Sequence, residues 1–323
     1  MNRHFKLFHK QENMLRAFIT GATGFIGYHV AKRLRAESYD VRALVRDTGA
    51  ASALTALGIE PVQGDIRDPV SIGKAMNGCS QVYHIAADYR LWVPDPETMY
   101  DVNVSGTRNV MACAHQLGVD KIVYTSTVGV WAGSRNRTPL NEETPSDPKK
   151  MIGHYKRSKF LAEKEVFRFI EKGLPVIIVN PSAPVGSMDR KPTPTGKMIV
   201  DFLNGKIPAY LDTGLNFVDV EDVAAGHWLA SVHGQIGQRY ILGNRNMTLR
   251  SFFKTLAHTA GRKPPRVRLP YFPVLLAAYA DETISGRILH RDPRIPVAGV
   301  RMAKKYMFFE CEKAVRHLKL PQT

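Results

Sequence analysis

The sequence predicts an α/β chain, a doubly wound parallel sheet with a smaller C-terminal substrate-binding region. Two observations carry that expectation. Short apolar strands alternate with amphipathic helices from Leu15 to about Asn180, the pattern of a parallel sheet covered on both faces. Between the first strand and the first helix stand Gly21, Gly24 and Gly27, in Phe18-Ile19-Thr20-Gly21-Ala22-Thr23-Gly24-Phe25-Ile26-Gly27. Such a turn lets the backbone approach a pyrophosphate, and the free N–H groups at the helix start receive its charge. The stretch reads as a dinucleotide site.

Taken in order, the first strand is Leu15–Ile19, and Ile26, Val30 and Leu34 mark the buried stripe of the helix that follows. The second strand, Val41–Val45, ends at Arg46. Asp or Glu at this place binds a ribose 2′-hydroxyl and prefers NAD, whereas Arg46 suits a 2′-phosphate and favours NADP. NAD stays open through the alternative in which Asp47 holds the ribose and Arg46 stacks on the adenine. A third strand, Pro61–Gln63, leads to Asp65 and Ile66, where Asp65 can accept from an adenine amino group or cap a helix. The fourth, Gln81–Ala86, ends in Ala86 and Ala87, small enough for the backbone to pass close to a cofactor. A helix follows over Tyr100–Leu117, with Asn103 on its first turns, and then a fifth strand, Lys121–Tyr124, running into Thr125-Ser126-Thr127.

Gly153 opens a helix predicted to reach about Glu171, and Tyr155 and Lys159 lie four apart on one face of it. A nearby ammonium stabilises a phenolate and draws a tyrosine below its ordinary value of about 10. Tyr28 and Lys32 share the spacing, but inside the first helix they are a false match. Strand six is Pro175–Asn180, followed by Pro181 and Ser182. Beyond about residue 184 the pattern loosens. Lys191–Gly196 reads as a loop, Phe217–Val220 as a strand returning to the main sheet, and Arg239–Leu242 as a further strand. The domain boundaries expected are a basic extension over 1–13, a nucleotide-binding domain over 14–183, and a region over 184–323 that mainly binds substrate.

The net charge of +16 calls for anionic company. Basic residues look scattered and no nucleic-acid motif accompanies them, so anionic cofactors, substrates or an anionic membrane surface are the expected partners. Cys79, Cys113 and Cys311 form neither a C-x-x-C pair nor a metal spacing, which points to a reducing compartment. Residues 1–13 carry Arg3, Lys6 and Lys10 without the apolar core of a signal peptide. The longest apolar run, Tyr271–Ala280, is too short to span a bilayer. A cytoplasmic protein, at most peripheral to a membrane, is the expectation, and a homodimer is compatible with it.

Together these residues resemble the extended short-chain dehydrogenase/reductase superfamily over nearly the whole chain from Met14. The resemblance implies a Rossmann domain of about seven parallel strands, a catalytic pair Tyr155 and Lys159, and an active-site hydroxyl at Thr127, with Ser126 as the fallback. The cofactor side would comprise Gly21, Thr23, Gly24, Phe25, Ile26, Gly27, Arg46, Asp65, Ile66, Ala86, Ala87, Asn103, Ser126, Tyr155, Lys159, Pro181 and Ser182. Within the superfamily, Ala86–Trp92, Lys191–Gly196, Ile199–Gly205, Asp212–Asn216, Tyr240–Asn244 and Arg301–Ala303 resemble bacterial hopanoid-associated sugar epimerases. The segment Val41–Asp47 equally resembles dihydroflavonol reductases.

Two enzyme readings follow. An epimerase would oxidise a sugar alcohol, let the keto intermediate turn its other face, and return the hydride. A carbonyl reductase would use the same Thr127, Tyr155 and Lys159 once. A member that binds NADP as a sensor or scaffold, without turnover, is a third reading that the intact set opposes. Asp88, Arg90, Trp92 and Asn180 are the candidate substrate contacts, Arg90 for a phosphate or carboxylate and Trp92 for a sugar or apolar group. No metal site is expected.

Overall fold

The computed structural model describes residues 15–134 and 136–323, so the basic extension over 1–13 lies outside the described residues. The strands, in chain order, are β1 (Arg16–Thr20), β2 (Asp40–Val45), β3 (Glu60–Gln63), β4 (Gln81–His84), β5 (Lys121–Thr125), β6 (Val176–Pro181), β7 (Ala183–Val185), β8 (Ala209–Tyr210), β9 (Gly214–Asp219), β10 (Arg239–Leu242), β11 (Arg245–Thr248) and β12 (Val267–Arg268). Seven of them form one parallel sheet in the order β3-β2-β1-β4-β5-β6-β10. The order reverses between β1 and β4. That switch point opens a crevice at the carboxyl ends of both strands, where open α/β sheets bind ligands.

Strand alternation assigns each side chain to one of two cores. Ala17, Ile19, Ile177 and Val179 face the helices Phe25–Ala36 and Val220–His233. Phe18, Val176 and Ile178 face the helices Pro69–Met76, Gly106–Leu117 and Gly153–Glu171. Burial on both faces explains why the strands read as continuous apolar runs rather than alternating ones.

The structure corrects three expectations. Gly214–Asp219 does not return to the main sheet; it is the middle strand of a three-stranded sheet, β11-β9-β7, and the seventh strand of the main sheet is Arg239–Leu242. Lys191–Gly196 is only partly loop, because Pro194 occupies the first helical position of Pro194–Leu203 and the Thr193 hydroxyl caps it by accepting from the Gly196 N–H. Proline lacks the N–H that this position would leave unpaired, so here it starts a helix. The helical run expected from Tyr100 begins at Pro96 behind an Asp95 cap, and passes through a wider turn over Asp101–Ser105 that contains Asn103.

Candidate active site

The glycine turn is built by close contact. Gly21 has φ +78°, and a Cβ there would stand 2.7 Å from the Ala86 nitrogen. A Cβ on Gly27 would meet the Gly21 carbonyl oxygen at 2.0 Å. Gly24 caps the Phe25–Ala36 helix without a side-chain cap, and no acidic residue lies in its first turn. The N–H groups of Phe25, Ile26 and Gly27 are therefore left for a ligand. Thr20 locks this turn to the end of β4: its hydroxyl accepts from the Ile85 and Ala86 N–H groups and bonds His84 Nδ1 at 2.8 Å. His84 in turn meets the Thr107 hydroxyl, whose proton goes to the Asn103 carbonyl. Burial pushes His84 down to about 3, so it is a neutral structural link.

Thr127, Tyr155 and Lys159 converge beyond the carboxyl end of β5. The Tyr155 phenol lies near enough to Thr127 for that side chain to draw its titration down, and Thr127 Oγ1 accepts from the Gly129 N–H at 3.0 Å. Lys159 is 2% exposed; its ammonium donates to the Tyr124 hydroxyl (3.0 Å) and the Thr125 carbonyl (2.8 Å) and lies 4.6 Å from the Tyr124 ring centroid. Burial pushes Lys159 down to about 7, against the carboxylate of Glu163, which holds it up. The expected lowering of Tyr155 by Lys159 does not appear. Burial raises the Tyr155 phenol, the Thr127 contact lowers it, and the Asp88 charge raises it further. With its ammonium turned to Tyr124 and the Thr125 carbonyl, Lys159 contributes no lowering there.

Ser126 is not a fallback hydroxyl. Its side chain donates a short hydrogen bond to Glu163, away from Tyr155. Glu163 is the functional residue that the sequence reading missed. It is 4% exposed and also accepts from Asn180 Nδ2 (3.3 Å) and Arg239 Nη1 (3.4 Å). The signal was available: Tyr155, Lys159 and Glu163 recur every four residues along one helix face. Asn180 is wholly buried, its amide nitrogen donating to the Thr127 carbonyl at 3.2 Å while its Oδ1 has no protein partner. Asn103 is likewise committed. Its amide donates to the Asp88 carbonyl and the Ser158 hydroxyl and accepts from the Asp88 N–H, which makes it a brace for the loop after β4.

On that loop Asp88 and Arg90 pair with each other (2.5 Å), so Arg90 already has a carboxylate partner. Trp92 lies against Gly286 of the C-terminal region, where an added Cβ would stand 2.8 Å from its ring. Arg46 and Asp47 are exposed at the end of β2, and Asp47 accepts from the Gly49 N–H. Asp65, close enough to Arg46 to feel its charge, is held below the usual carboxylate range first by its bond to Arg67. Ile66 packs on Gly106, and Ala87 follows Ala86 at the crevice. Pro181 ends β6, and the next residue, Ser182, has a buried hydroxyl oxygen without a protein partner, as does Asn180 Oδ1. Thr23 is exposed in the glycine turn. Tyr28 and Lys32 stand apart on the first helix, Lys32 paired with Glu221.

A nicotinamide dinucleotide fits this arrangement. The cradle excludes any Cβ, the helix start offers unpaired N–H donors, and Ser182 leaves a buried oxygen in need of a donor. The fold and cradle define an enzyme of the nucleotide-binding Rossmann class. The chain belongs to the NAD dependent epimerase/dehydratase family, which it matches over residues 17–243. It is 41% identical over 310 residues to a Synechocystis protein provisionally named dihydroflavonol 4-reductase, covering 95% of this chain and 90% of the relative. Sterol demethylase protein B of Methylococcus capsulatus is 32% identical over 310 residues, covering 96% and 94%. The crystal structure of gox2253 superposes with a TM-score of 0.83 at 46% identity, covering 94% of this chain and 92% of that one.

Proposed function

We propose that the enzyme transfers a hydride between NADP(H) and the carbon of a carbonyl or secondary alcohol, acting as a carbonyl reductase on a small molecule. The observation that carries the chemistry is the convergence of Tyr155 on Thr127, with buried Lys159 on the same helix donating to the Thr125 carbonyl. When bound, the cofactor supplies the hydride. Tyr155 gives its phenolic proton to the substrate oxygen, and Thr127 donates a second hydrogen bond to the same oxygen. Lys159 would hold the nicotinamide ribose and replenish the proton. The glycine turn would bring the Phe25, Ile26 and Gly27 N–H groups to the pyrophosphate, while Arg46 would meet the 2′-phosphate. The reductase direction rests on the full-length likeness to the Synechocystis and Methylococcus proteins, the first of them carrying a reductase name.

A second reading has its own support. The family takes its name from epimerases, and the Ala86–Trp92 and Asp212–Asn216 stretches resemble the hopanoid-associated sugar epimerases. Such an enzyme returns its hydride every cycle and can keep one cofactor molecule, whereas a reductase must exchange it. Identifying the nucleotide freed by denaturing the purified protein separates the two. NADPH that exchanges freely and is consumed with an added aldehyde or ketone supports the reductase; stoichiometric NAD that survives dialysis overturns it in favour of the epimerase. Among the described residues no helix is long and apolar enough to cross a membrane. The three free, buried cysteines fit a reducing, cytoplasmic compartment.

A further inference from the structure

The helix Tyr271–Asp281 carries no charged residue from Tyr271 to Ala280, yet only one of its sides is covered. Tyr271, Val274, Leu275 and Ala278 pack with Leu211, Val297 and Val300. Phe272, Leu276 and Tyr279, spaced four and three apart, form the opposite side and are 70%, 71% and 50% exposed. The segment after it adds Ile284, Ile288 and Leu289, each more than half exposed. Contiguous apolar surface of this kind marks an interaction site.

Its surroundings say what covers it. Basic residues looked scattered in the sequence, but between Arg262 and Lys305 stand ten lysines and arginines against three carboxylates. Seven of the chain's sixteen net positive charges thus fall in 44 residues. Two of the three carboxylates are engaged by the protein itself. Asp281 accepts from the Ser285 hydroxyl and the Ile295 N–H, and Glu282 from the Val297 N–H. Arg262, Lys263, Arg266, Arg287, Arg291 and Arg294 are all exposed.

We propose that this face docks on an anionic phospholipid bilayer. Phe272, Leu276, Ile288 and Leu289 enter the boundary between headgroups and acyl chains, and the exposed Arg287, Arg291 and Arg294 beside them in the chain meet the lipid phosphates. A second copy of the chain would set one positive field against another. A nucleic acid would find an uncharged apolar centre it cannot use. Trp92 rests on Gly286 and Leu91 lies beside Gly299, so docking also brings the loop after β4 to the lipid surface.

Vesicle sedimentation of the purified full chain tests this, using phosphatidylcholine vesicles with and without about one third phosphatidylglycerol. The expected result is binding to the anionic vesicles alone, lost in roughly 0.5 M salt, where screening is nearly complete. Phe272→Ser/Leu276→Ser should weaken partitioning at least about tenfold. Arg287→Gln/Arg291→Gln should weaken it about 25-fold, at about fivefold per basic residue near such a surface. Circular dichroism and hydride transfer in solution should match the parent in both variants. A chain lacking residues 1–13 should bind as the full chain does. Absence of binding at low salt, equal binding to neutral vesicles, or loss of binding with residues 1–13 would overturn the proposal. So would a dimer that the Phe272→Ser/Leu276→Ser variant turns into a monomer, because the face would then belong to a second copy.

Discussion

Replacing Glu163 by Gln should move the titration of Lys159. The carboxylate sits one helical turn beyond Lys159, nearly sealed from solvent, and its charge is what opposes the burial that lowers the ammonium. Residues four apart on a helix have Cβ atoms about 6 Å apart, which sets the scale of the charge separation. At an effective dielectric of about 20, opposite charges at that distance attract by about 2.8 kcal/mol, the equivalent of about two units of pKa. Glu163→Gln keeps the shape and the Ser126 contact but deletes the charge, so the Lys159 midpoint should fall one to two units below about 7. Lysine side-chain NMR on labelled protein reads this directly, without a substrate. In kinetics, kcat/KM reports the free enzyme. Its loss on raising the pH should set in earlier, leaving the variant about five- to fiftyfold slower at pH 7 and within about fourfold of the parent near pH 5.5. Ser126→Ala removes a hydrogen bond and no charge, and should leave the midpoint in place. A Glu163→Gln protein whose Lys159 titrates as in the parent, or a Ser126→Ala protein that shifts equally, would refute the reasoning.

Other outcomes follow from the same geometry. Tyr155→Phe should reduce turnover by about 10²–10⁴-fold with cofactor affinity near that of the parent, since only the transferable proton is lost; steady-state rates and cofactor fluorescence check both halves. Arg46→Asp should move cofactor preference from NADP towards NAD, read as the ratio of the two dissociation constants; an unchanged ratio would remove Arg46 from the 2′ site. Gly27→Ala forces a Cβ to 2.0 Å from the Gly21 carbonyl, so the helix start must shift, and cofactor binding and melting temperature should both fall. Burial holds Lys159 down at about 7 and Lys156 at about 8, below the 10.5 of a free lysine. Between pH 7 and 9 the unfolded chain thus binds more protons, and stability should rise with pH by about 2–4 kcal/mol until the buried thiols begin to oppose it. Denaturant titrations at pH 7, 8 and 9 check the sign.

What the sequence made legible divides along a physical line. The glycine turn, the strands and the Gly153–Glu171 helix are written locally, because steric need and side-chain period leave marks within a few residues. Asp88 and Arg90 were visible as chemistry-bearing residues, but not that they would spend their charges on each other. Asn103 and Asn180 show the limit more sharply. Each stands where a ligand contact was expected, and each instead has its amide nitrogen committed to distant parts of the chain: Asn103 to Asp88 and Ser158, Asn180 to Thr127 and Glu163. A buried amide must find such partners, and which ones depends on packing that no local window contains. The misassigned strand at Phe217–Val220 has the same origin. Its apolar residues suit any buried strand, and only the return of Arg239–Leu242 beside β6 decided which segment completed the sheet. Glu163 was missed for a different reason, since a charged residue in the middle of a helix ordinarily faces water. Its phase was the clue. A carboxylate on the face already claimed by Tyr155 and Lys159 cannot be solvated, so it must compensate buried charge, and the Lys159 ammonium beside it is the group whose charge state it controls.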